Sequence, residues 1–145
     1  MIDVFNLQRF IDAQERYYPS VLEELRAGEK RGHWMWYIFP QIQGLGESSL
    51  SREYAISSLE EAKTYSEHPT LGARLRECTQ LVMAVDNRTA KQVFSCPDNL
   101  KFRSCMTLFA LLATGGPSIF QAALLKYFDG EPDHLTLDIL KRLSA

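Results

Sequence analysis

Residues 97–113, PDNLKFRSCMTLFALLA, restrict the fold more than any other stretch of this chain. A proline stands at the head, and the second half, Met106 to Ala113, contains a single polar residue, Thr107. A helix that is apolar all round has no face suited to water, so it runs through the middle of a molecule with other elements packed about it. The rest of the chain reads in the same helical period. Val4, Leu7, Phe10 and Ile11 fall on one face of a helix over 4–16. Pro19 suits the first turn of a second helix, with Leu22 and Leu25 inward and Gly28 as its C-terminal cap. Ser58 with Glu61 reads as a capping box before a helix ending near His68. Pro69 then opens a helix whose stripe is Leu71, Leu75, Val82 and Val85. Residues 89–95 add a helical turn or two. Gly115, Gly116 and Pro117 end the apolar helix and start another over 118–128. A last helix covers 135–143, with Leu137, Leu140 and Leu143 inward. Strand alternation is scarce. Trp34–Phe39 is the best strand candidate, and Pro40 cuts it short. The expectation is an all-α fold, a compact irregular bundle of about six to eight helices, in a single domain over residues 1–145.

Composition narrows the function classes. A chain of 145 residues is long enough for its own hydrophobic core. A net charge of −2 argues against a dedicated nucleic-acid binder, which is more often basic. No apolar run approaches the ~18 residues of a membrane span, and the N-terminus MIDVFNLQRF has neither the basic start nor the apolar core of a signal peptide. A cytoplasmic location is the expectation. Cys78, Cys96 and Cys105 are odd in number, form no CxxC and have no histidine at metal-ligand spacing. They read as buried thiols in a reducing compartment, and neither a metal nor a cofactor is expected. No phosphate-binding glycine loop, zinc-protease HExxH or serine-hydrolase GxSxG occurs.

The chemistry-bearing residues concentrate in RAGEKRGHWMWYIFPQIQGLG, residues 26–46. Lys30, Arg31 and His33 stand beside Trp34 and Trp36, the only two tryptophans. Cations beside indole faces serve an anionic ligand site or a structural corner equally well. If the stretch is extended the two indoles share a face; if helical they diverge, and at most one lines a pocket. Trp36 is the one placed nearer a ligand. Gln41 follows the aromatic run as an amide suited to bonding a ligand or loop backbone. Lys101 and Arg103 sit near the start of the apolar helix, where a cation opposes the helix dipole. They therefore call for a partner: Asp98, Asp133 or a ligand phosphate. His33 and Asp133 are the candidates for acid–base work. Each also has a plain structural role available, as a loop anchor and a helix cap.

The same stretch, taken with REYAI, HPTLGARLREC, PDNLKFRSCMTLFA and YFDGEPDHLTLDIL, resembles the domain-of-unknown-function 1810 family over about Leu7 to Leu140. The resemblance implies a small, mostly helical bacterial domain and no established activity. The function expected is binding of a small anionic, nucleotide-like ligand in a pocket lined by residues 30–41, with Lys30, Arg31, His33, Trp36, Gln41, Lys101 and Arg103 as ligand contacts. The alternative is a non-enzymatic protein-interaction or regulatory module, with homo-oligomerisation among its forms. No reaction follows from the residues.

Overall fold

The computed structural model describes residues 2–113 and 118–144. The expected break at Gly115–Pro117 lies outside them. Nine helices make up the described chain: α1 (Gln8–Ala27), α2 (Met35–Ile38), α3 (Ser49–Glu53), α4 (Leu59–Glu67), α5 (Leu71–Met83), α6 (Ala90–Phe94), α7 (Asp98–Ala110), α8 (Ile119–Phe128) and α9 (His134–Leu143). Among the described residues there is no strand, only an isolated parallel bridge between Ile42 and Ile56. The protein is all-α, and its buried apolar residues form one cluster around α7, where Phe102, Ser104 and every residue from Cys105 to Phe109 are buried.

The helices number one more than the upper end of the expectation, the balance of one helix lost and two gained. The anticipated break at Pro19 does not occur: α1 is one 20-residue helix with that proline inside it. Its buried residues Phe10, Gln14, Val21 and Leu25 are spaced four, seven and four apart, so a single stripe crosses the proline. An interior proline costs about 3 kcal/mol, and the burial on both sides of it offsets that cost. Val4 is not part of this stripe; it lies ahead of α1 and is 76% exposed. The first gain is in Trp34–Phe39, which is not a strand. Residues 35–38 form the short helix α2, and Ser49–Glu53 form another that carries little apolar period of its own.

Polar side chains set the helix ends. Gly28 closes α1 at φ 73°. Ser58 accepts from the Glu61 amide as expected. The Glu61 carboxylate does not complete the capping box; it accepts from the Ser57 amide and hydroxyl and pairs with Arg9 at 2.9 Å. Unanticipated capping boxes start α6 (Thr89 with Gln92) and α8 (Ser118 with Gln121). His68 Nδ1 accepts from the Thr70 and Leu71 amides, which caps the start of α5. At the other end of α5, Lys126 donates to the Met83 and Val85 carbonyls, where a cation also complements the dipole. Cys78 and Cys105 are buried, but Cys96 is exposed, contrary to the expectation of three buried thiols. Burial pushes the Cys78 thiol up to about 12, so it is no nucleophile near neutral pH.

Gly72 controls how closely α4 and α5 approach. A Cβ built there lies 2.1 Å from the Ser66 carbonyl oxygen, a backbone atom that cannot step aside alone. Gly72→Ala is therefore expected to destabilise the protein by about 1–3 kcal/mol, read as a lower urea midpoint. An unchanged midpoint would show that the two helices slide apart freely.

Candidate functional site

The tryptophan-rich segment does meet the start of α7, and the seam is filled rather than hollow. Phe39 packs on Phe102 with ring centroids 5.0 Å apart and on Phe94 at 5.9 Å. The Lys30 ammonium lies 2.7 Å from one Asp98 oxygen, and Lys101 lies 3.1 Å from the other. Lys30 also donates to the Gly32 carbonyl and sits over the Trp34 ring, while Lys101 sits over Trp36. Glu24 accepts from the Arg31 and Gly32 amides and from the Trp34 indole. Burial works to raise the Glu24 carboxyl, yet these donors and nearby Lys30 hold it below its ordinary value. Asp98 behaves alike: burial opposes its ionisation, and the two lysines outweigh the burial. Both ammonium groups thus face the Asp98 carboxylate, and Glu24 places a second negative charge near Lys30.

The other expected contacts divide. Trp34 is buried and Trp36 half-buried, as two neighbours diverging on a helical turn must be. Arg31 is exposed and pairs loosely with Glu29 at 3.4 Å. His33 is exposed and has no hydrogen-bond partner among the described residues. Gln41 is buried; its carbonyl accepts from the Ile56 amide, and its side-chain Nε2 has no partner among the described residues. Arg103 donates to the Glu131 carbonyl and lies over Phe128. Asp133 is the N-cap of α9, where one carboxylate oxygen accepts from the Ser104 hydroxyl and from the Thr136 amide and hydroxyl. Its own amide donates to Thr107. These bonds pin the start of α9 to α7 and leave Asp133 engaged in structure.

Beside α9, pinned in this way, an open cleft is left. Thr136 and Leu140 face inward, while Leu143, expected inward, is 46% exposed. Leu135, Ile139 and Leu143, each four residues on, form a second stripe about 100° around the helix. Opposite them the Ile42–Ile56 bridge draws the Gln43–Gly46 turn against α3. Gly44 takes φ 96°, and a Cβ there would come within 3.4 Å of Ile139. Between these walls lies a cleft of about 630 Å³, lined also by Ser51, Arg52, Ala55 and Arg142. Arg9 secures the far wall by donating to the Glu53 and Ala55 carbonyls. Neither Arg52 nor Arg142 has an acidic side chain within 4.0 Å among the described residues. Of the expected contacts, only Trp36 reaches toward this cleft, and it stands one layer behind: its ring edge meets Gly46. Among the described residues no group of acids, histidines and cysteines is arranged to hold a metal ion, and no helix is long and apolar enough to cross a membrane.

Residues 4–140 match the family model described as a protein of unknown function, DUF1810. The chain belongs to that family. The crystal structure of the conserved hypothetical protein Rv1873 from Mycobacterium tuberculosis is similar: it is 52% identical and superposes with a TM-score of 0.92, over 96% of this chain and 99% of that one. No curated protein matches. The arginines of the cleft, Arg52 and Arg142, are not among the ligand contacts expected from the sequence. The available signal was α9 itself: apolar residues at 135, 139 and 143 as well as 137 and 140 are too many for one face.

Two outcomes check this assignment of the corner to structure. Trp34→Ala should cost about 3–5 kcal/mol in chemical denaturation, because the ring is 1% exposed. Asp98, held low by its lysines, stabilises the fold above its ordinary value of 3.8 and loses that contribution as pH falls through its lowered folded value. The stability gap between wild type and Asp98→Asn should therefore be constant near neutral pH and narrow below pH 3.8. A gap independent of pH would contradict the pairing.

Proposed function

We propose that this domain binds a small anionic ligand in the cleft between the Gln43–Gly46 turn, α3 and α9. One observation carries the reading: Arg52 and Arg142 line a cleft of about 630 Å³ with no acidic partner among the described residues. A guanidinium stays charged at every physiological pH and offers a planar fork of donors to a carboxylate or phosphate. The volume falls within the usual range of small-ligand sites. The anionic class of ligand expected from the sequence is kept, and its place moves from residues 30–41 to the next segment of chain. Lys30, Trp36 and Lys101 act in this reading as the support behind the Gly46 side, not as ligand contacts. The reading includes no reaction, since His33 and Asp133 supply no aligned acid–base pair. The alternative of a protein-interaction module draws support from the exposure of Leu135 and Leu143, at 61% and 46%.

Thermal shift against carboxylates, sugar phosphates and nucleotides tests the proposal. A ligand at a hundred times its Kd adds about 2.7 kcal/mol to stability, a readily measured rise in Tm. Arg52→Gln with Arg142→Gln should abolish that rise while leaving the ligand-free Tm nearly unchanged, because both side chains stand at the surface. A ligand shift that survives both substitutions would place the site elsewhere.

A further inference from the structure

We infer that the ligand is an aliphatic carboxylate, its chain lying along α9 and its head group held by an arginine; this rests on the reading above. The first reason is the shape of the apolar wall. Leu135, Ile139 and Leu143 are spaced by four residues, so they form a continuous track, a ridge slanting across α9, with an axial rise of about 12 Å at 1.5 Å per residue. Leu45 and Ala55 line the cleft with them. A linear apolar wall suits a linear apolar body. The second reason is what the lining lacks. None of the cleft residues is aromatic; the Trp36 ring lies close to Gly46 but is not part of the lining. A nucleotide base placed here finds no ring to stack on, whereas an alkyl chain needs none.

The third reason is charge. Arg142 directly precedes Leu143 at the end of the track, and its side chain makes only a 3.5 Å contact with the Asp138 carbonyl. Arg52 lies on α3 and has no side-chain hydrogen bond among the described residues. Cations at the rim of an apolar groove complement an amphiphile with one anionic end. The exposed leucines supply the driving force: covering apolar surface is worth about 25 cal/mol per Å². A second copy of the chain, docking by the same leucines, would leave the two arginines without a counter-charge.

The experiment compares decanoate, decanol, acetate, AMP and inorganic phosphate, at submicellar concentration where relevant, by calorimetry and thermal shift on the full chain. Sedimentation is run alongside. Decanoate is expected to bind and raise the Tm, decanol to bind about tenfold or more weakly, and acetate not to register. Arg52→Gln with Arg142→Gln should bring decanoate down to the level of decanol. Leu135→Gln, at a side chain already exposed, should weaken decanoate without altering the fold seen by circular dichroism. Arginine-dependent binding of AMP or phosphate with no response to decanoate would overturn the aliphatic ligand and leave the small-anion reading standing. Equal, arginine-independent binding of decanoate and decanol would overturn both, as would silence from every probe. A dimer that Leu135→Gln dissociates would show that a second copy covers the track, which overturns this inference.

Discussion

The ring of Phe102 is the point on which the architecture turns. It lies on the central helix, and its centroid is within 6.3 Å of four other aromatic rings: Phe39 from the tryptophan segment, Phe94 from α6, and Tyr127 and Phe128 from α8. One side chain on α7 thereby joins the tryptophan segment, α6 and α8. Aromatic pairs of this kind add about 0.5–1.5 kcal/mol each beyond the area they bury. They also have preferred angles, so they fix orientation as well as proximity. With Phe39 seated, the segment after it has little freedom, and the Ile42–Ile56 bridge and the Gln43–Gly46 turn follow.

Charge is arranged around that seam in two different ways. Buried or half-buried ions are matched: Arg9 with Glu61, and Lys30 and Lys101 with Asp98. An unpaired charge in such places costs far more than the pair contributes, which explains why the basic cluster that stands out in the sequence is occupied by its own neighbours. Arg52 and Arg142 follow no such constraint, because at the surface water solvates them. A cation that the fold does not need is free for a ligand. The matched pairs still serve the cleft indirectly. Arg9 holds the backbone at Glu53 and Ala55, and Lys101 backs the Trp36 ring that supports Gly46.

Much of the scaffold was legible in advance. The apolar stripe Leu71, Leu75, Val82 and Val85 is buried in α5 and just beyond it, the 97–113 segment is the central helix, and Gly28 caps α1 in a left-handed conformation. The differences share a cause, packing that local pattern does not reveal. The local preference of Pro19 favours a helix start, but burial at Phe10, Gln14, Val21 and Leu25 carries one helix through it. Trp34–Phe39 resembled a strand because it is short and aromatic, and such a run has no period long enough to decide. Helical spacing offers two apolar faces on α9, Leu143 among them, and only the docking of Asp133 onto Ser104 and Thr107 selects between them.

The amino-acid sequence by itself settled the helical class, the buried identity of α7 and the family, because a period of 3.6 and a run of apolar residues are properties of neighbours along a chain. The tertiary structure alone decided which cations are spent and which remain. Lys30 meets Asp98, 68 positions away, because the segment after α1 packs on α6 and the start of α7, and Arg142 comes to line the same cleft as Arg52, 90 positions away, because α9 rests against α7.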